Sequence, residues 1–152
     1  VVEPWFVPLA YALILLREGG YPVVFLADYD GAEYSGTGDD GQEHHIVMPS
    51  HRWLIDRFLR VRHDLAYGEQ RDYFEDPRRI GWVRTGDEER PGGVAVVLSS
   101  GDAGVRRMRA GAPDARYVDV TEHVKDPVHT DGEGWGDFGC EAGSVSVWVL
   151  ET

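Results

Sequence analysis

The hydrophobic period of this chain changes once, near Gly68, and that change limits the possible folds more than any other feature. Before it, apolar residues recur at helical spacing. Residues 5–17 read WFVPLAYALILLR, apolar on nearly every face, as a helix does when it is packed between layers. Pro8 falls in the first turn, where proline is tolerated, and Gly19 and Gly20 stop the run. Leu54, Phe58, Val61 and Leu65 give a second, amphipathic helix with one apolar stripe. After Gly68 the period is two. Residues 80–84, 94–99, 105–110, 116–120, 135–138 and 144–150 are short β-type runs broken by Gly, Pro and Asp clusters, the pattern of an antiparallel sandwich or barrel. The sequence therefore predicts an α/β part over residues 1–68 and an all-β part over residues 69–152.

The α/β part is not self-sufficient. Residues 23–26, Val-Val-Phe-Leu, are wholly apolar and predict a strand of a parallel sheet buried on both faces. One parallel strand has no sheet to join, so its neighbours are expected upstream, and the helices are expected to cover them. A (β/α)8 TIM barrel takes about 250 residues, so residues 1–68 are expected to be its last part. The chain begins at Val1 with neither a methionine nor a signal peptide, and reads as a piece of something longer. Residues 27–50 are polar and rich in Gly and Asp, a long connection of the kind that carries function.

Charge and composition exclude several classes. A net charge of -12 with no Lys/Arg cluster argues against nucleic acid, which is bound by neutralising phosphates. With 42% hydrophobic and 28% charged residues the chain has the composition of a folded domain. No apolar run approaches membrane-spanning length. Cys140 has no cysteine to pair with, so the fold does not depend on an oxidising compartment, and secretion is left open.

Several local patterns suggest chemistry, each with a plainer explanation. Residues 36–41, GTGDDG, match the dinucleotide fingerprint letter by letter, but Asp39 and Asp40 would repel a phosphate and no helix starts there. Asp28, Asp30, Asp39, Asp40 and Glu43 lack the alternate spacing of an EF-hand calcium loop and read as a solvated acidic loop, with a calcium site of another kind as the alternative. Asp28 itself lies just past the expected barrel strand, on the face where barrel active sites are built, and is the candidate substrate-binding residue; holding its loop by hydrogen bonds is the other role open to it. His44, His45 and His51 are near one another without the partners of a zinc site. Trp82, Trp135 and Trp148 alternate with polar residues and form either core or, if exposed in a row, a sugar-stacking platform.

Five blocks carry a family likeness. The segments Trp5-Phe6-x-Pro8-Leu9-Ala10-Tyr11-Ala12, Gly20-Tyr21-Pro22-x-Val24-Phe25-x-x-Asp28 and Ala66-Tyr67-Gly68-x-Gln70-x-Asp72-Tyr73-Phe74 resemble the liquefying-type α-amylases of glycoside hydrolase family 13. So do Gly81-Trp82-x-Arg84-x-Gly86-Asp87 and the closing Gly134-Trp135-Gly136-x-Phe138 with Gly143-Ser144-Val145-Ser146-Val147-Trp148. The long loop over residues 27–48 is more like that of fungal relatives.

The resemblance implies a helix after barrel strand seven, strand eight, and then a C-terminal Greek-key β-sandwich. It implies an endo-acting enzyme that hydrolyses α-1,4-glucosidic bonds with retention, through carboxyl groups about 5 Å apart. None of the catalytic carboxylates matches a position in this chain, so they are expected upstream and the segment alone is expected to be inactive. Where some relatives hold calcium between barrel and C-domain, this chain has Pro77, Arg78 and Ser100, so calcium is expected only in the complete enzyme, on upstream ligands. The expected partners are an α-glucan substrate and the N-terminal remainder of the enzyme. A non-catalytic carbohydrate-binding sandwich and a related transglycosidase are the alternatives.

Overall fold

The computed structural model describes residues 2–152; Val1, where the sequence predicts the start of the barrel segment, lies outside the described residues. Helix α1 (Val7–Leu16) forms where the sequence predicts, with proline in its first turn, and buries Leu9, Tyr11, Ala12, Leu15 and Leu16. It ends at Arg17 in extended backbone, and Gly19 and Gly20 follow at φ 79° and 77°, a conformation glycine adopts without a Cβ clash. A short helix α2 (Leu26–Asp30) leads into a hairpin of β1 (Ala32–Thr37) and β2 (Glu43–Met48). Helix α3 (Arg52–Asp64) then presents Ile55, Phe58 and Val61 to α1 and the sheet.

The rest of the chain is antiparallel β structure: β3 (Gln70–Tyr73), β4 (Arg79–Gly86), β5 (Pro91–Ser99), β6 (Gly104–Arg109), β7 (Arg116–Asp119), β8 (Val128–His129), β9 (Trp135–Cys140) and β10 (Ser144–Leu150). Six of these strands form one sheet in the order β3-β4-β5-β10-β7-β8, and β6 pairs with β9 as a separate two-stranded layer. The edge strands β3 and β8 have four and two residues, short enough to offer little to another chain's strand. The sequence-predicted runs thus become strands of a sandwich.

Alternation along the central strands builds two cores, one on each face. Val94, Val96 and Leu98 of β5 with Val145, Val147 and Val149 of β10 face the helices, meeting Leu9, Leu16 and Phe58. Ala95 and Val97, with Val83 and Trp148, face the β6–β9 layer and meet Met108, Tyr117 and Phe138. A sheet covered on both faces explains why β5 reads as continuously apolar. Each Val, Leu, Met or Phe among these side chains, when fully buried, stabilises the fold by roughly 1.5 to 3 kcal/mol. The layers approach closely at Gly81, where a Cβ would stand 2.6 Å from the Met108 sulfur. The molecule has three layers: helices, the six-stranded sheet, and the β6–β9 ribbon.

One expectation fails here. Residues 23–26 are not a strand: residues 21–25 have no regular secondary structure and no ladder partner, and Leu26 already begins α2. Val23, Phe25 and Leu26 are 75%, 60% and 68% exposed. Strand geometry is maintained by neighbours, and none of the described strands lies beside this segment. No parallel pair, and so no part of a TIM barrel, is present among the described residues. The helices expected to flank a barrel instead cover one face of the six-stranded sheet. No helix among the described residues is long and apolar enough to cross a membrane.

Candidate functional site

The candidate site lies where α1, the irregular segment before α2, and α2 itself meet. Tyr11 projects from α1; its hydroxyl donates to Asp28 Oδ2 at 2.7 Å and accepts from the Phe25 N–H at 3.1 Å. Asp28 therefore sits in the first turn of α2, not past the end of a barrel strand as the sequence predicts. Its backbone carbonyl accepts from the His51 N–H at 2.8 Å, which ties the start of α3 to α2. Burial first, and then the Asp28 carboxylate, push the Tyr11 hydroxyl above its ordinary pKa. Beside this pair a cleft of about 360 Å³ opens, bordered by Val7, Tyr11, Ile14, Val23, Asp28 and Met48. Its walls are apolar, with a single carboxylate at one side; such a surface takes an apolar face and one hydrogen-bond donor.

Around it, α2 is locked by polar contacts. Tyr29 donates to Asp56 at 2.6 Å, a bond that raises its pKa, and Asp30 pairs with Arg52. Ser50 donates to the Tyr29 carbonyl at 2.7 Å.

The other sequence-singled residues are spread apart. Residues 36–41 are the end of β1 and the hairpin turn, closed by the Gly38 N–H on the Gln42 carbonyl at 2.9 Å. His44 and His45 are consecutive in β2, where side chains alternate faces; His44 pairs with Asp40 at 2.9 Å and His45 with Glu33 at 3.0 Å, while His51 precedes α3. Asp28 and Asp30 are in α2, away from Asp39 and Asp40 at the hairpin tip. Among the described residues no three His, Cys, Asp or Glu side chains converge as metal ligands. Pro77, Arg78 and Ser100 do share a small cleft, but a proline and a guanidinium do not make a cation site. Cys140 is buried, and burial pushes its thiol up to about 11.

The tryptophans form no platform. Trp82 faces the helices and donates to the Leu16 carbonyl at 3.2 Å, whereas Trp148 faces the ribbon and donates to Ser146 Oγ at 2.9 Å. Both are fully buried, on opposite faces. Of these three, only Trp135 reaches the surface, edge-on to Tyr73 with ring centroids 6.2 Å apart. Sequence reasoning also misses Tyr11 as the partner of Asp28, because a hydroxyl within an apolar helix gives no local sign of the loop it will meet.

No protein-family model matches the chain. Curated relatives do. It is 45% identical over 152 residues to the cytoplasmic α-amylase of Escherichia coli, which matches 99% of this chain with 30% of its own length. Identity is 43% to the α-amylase of Geobacillus stearothermophilus and 40% to that of Bacillus licheniformis, each over 97% of this chain. The chain spans between 26% and 30% of the length of these relatives. Along its whole length, therefore, the chain is similar to a C-terminal part of α-amylases.

Proposed function

We propose that this chain is the C-terminal segment of an endo-acting α-amylase of the liquefying and fungal-like group, which hydrolyses α-1,4-glucosidic bonds of starch-like glucans with retention. The catalytic carboxylates and the calcium ligands belong to the remainder of that enzyme. Residues 1–68 join the catalytic part and residues 69–152 are its stabilising C-terminal sandwich. Asp28 borders the substrate cleft, oriented by Tyr11.

The observation that supports this reading is 45% identity to an α-amylase over 99% of the chain, which takes in both the helical and the β portions. The exposed Val23, Phe25 and Leu26 suit a surface that another part of the enzyme covers. A complementation assay tests it. The 152-residue chain is expected to show no turnover of soluble starch, and to restore turnover when co-expressed with the N-terminal portion of the Escherichia coli relative. Hydrolysis by the chain alone, or failure to complement while the two pieces remain soluble, would overturn the proposal.

A further inference from the structure

A second cleft, unrelated to Asp28, gathers cations in a chain whose net charge is -12. It has a volume of about 600 Å³ and lies where the end of α1 meets α3 and β4, bordered by Arg17, Glu18, Arg62, His63, Tyr67 and Arg84. Arg62 donates through Nη1 to the Leu15 carbonyl at 2.6 Å. Arg84 donates through Nε and Nη2 to the Gly68 carbonyl at 3.2 and 3.0 Å. Those carbonyls fix both side chains but leave N–H groups on each guanidinium without a partner. Neither arginine is in an ion pair among the described residues, although eight other arginines are.

The third guanidinium is also underused. Arg17 meets Asp72 only at 3.6 Å, and its buried Nε–H has no hydrogen-bond partner. His63 is held at the rim by Asp64 at 2.6 Å. The one carboxylate bordering the cleft, Glu18, is exposed and unpaired among the described residues. Burial pushes the Arg84 guanidinium below its ordinary value; Glu18 opposes that shift and Arg62 adds to it. Two cations pinned side by side with only one exposed carboxylate near them are undercompensated unless a further anion joins them.

We propose that this cleft binds a phosphate group, with Arg62 and Arg84 as its ligands and Arg17 adding charge at its flank. Planar guanidinium forks with spare N–H groups match a tetrahedral oxyanion, and a dianion balances two cations where a single carboxylate balances one. The volume leaves room for what the phosphate is attached to, so free phosphate and a phosphate ester are both admissible sources.

The test is calorimetric titration of the 152-residue chain at low ionic strength with inorganic phosphate and with a hexose monophosphate, using sodium chloride at matched ionic strength as reference. Saturable binding of one phosphate per chain is expected. The Arg62→Gln and Arg84→Gln variants should each bind about tenfold more weakly, the loss of one charge-assisted contact. Glu18→Gln removes the competing carboxylate from an exposed position and should bind several-fold more tightly. Tighter binding of the ester would identify the attached group as part of the ligand, and equal affinity would identify phosphate itself. Heats no larger than those of sodium chloride would overturn the proposal. So would an affinity that Glu18→Gln leaves unchanged, which decides the matter even if an arginine variant does not fold.

Discussion

Asp119 is the most heavily used side chain in the molecule. From the end of β7 its buried carboxylate accepts the N–H groups of Thr121 and Val147 at 2.9 Å, that of Val124 at 3.0 Å, and the Thr121 hydroxyl at 2.8 Å. Asp119→Ala would leave three backbone donors facing an apolar space, each worth about 1 to 3 kcal/mol when unsatisfied. We expect a loss of at least ~3 kcal/mol, read by urea unfolding; a loss below ~1 kcal/mol would show that water replaces the carboxylate. Tyr11 makes a smaller, pH-dependent contribution. Because its folded pKa is raised above 10.0, its protonated form contributes stability that is fully present below the unfolded value and is lost as pH rises through the folded one. Tyr11→Phe should cost about 1 to 2 kcal/mol at pH 8, and the gap to the native chain should narrow in alkaline buffer. A gap that stays constant to pH 11 would show that the Tyr11 proton is not coupled to folding. Few of these residue roles are legible in the sequence. Trp82 and Trp148 are marked as core by alternation, but one N–H donor to Asp119, that of Val147, comes from a strand 28 residues away, and the link between Asp28 and Tyr11 spans 17.

Among elements, β5 and the β1–β2 hairpin are opposites. β5 is legible because its apolar run is bounded by turn residues and both of its faces are covered. The hairpin is not: residues 27–50 read as a polar connection, since most hairpin residues are exposed, none is buried, and no apolar alternation marks the strands. Its sign is the Gly38-Asp39-Asp40-Gly41 turn, which composition alone disguises as a loop. The four apolar residues at 23–26 mislead in the other direction, because a short apolar run has no period to separate strand from helix start or extended linker. Since the β1–β2 pairing of residues 32–37 with 43–48 carries no core side chain, cutting it back should matter little. Replacing residues 34–46 by a short Gly/Ser link should change unfolding free energy by less than ~1 kcal/mol. A cooperative loss well beyond that, followed by circular dichroism on heating, would make the hairpin part of the folding unit.

For the whole molecule, the uncovered surface matters most. Ile14 of α1 and Val23, Phe25 and Leu26 at the approach to α2 are exposed, Ile14 and Val23 bordering one cleft, an apolar area that water solvates poorly. The chain alone should bind a hydrophobic dye, and Val23→Ser with Leu26→Ser should reduce that binding while altering stability by less than ~0.5 kcal/mol. Dye fluorescence equal in the variant and the parent would place the sticky surface elsewhere. The broad plan of helices followed by a sandwich is legible from the single change of period, whereas the stacking of both helices on the sheet is not. That stacking is set by contacts such as Leu16 with Trp82, far apart in sequence. The sheet order carries a consequence for biosynthesis. β10 lies between β5 and β7, so β3-β4-β5 and β7-β8 are two separate pieces until it arrives, and α1 waits beside them with half its seat missing. A ribosome must therefore have translated nearly all 152 residues before the centre of the sheet can close, and a stop codon just ahead of Ser144 would release two half-sheets in place of one.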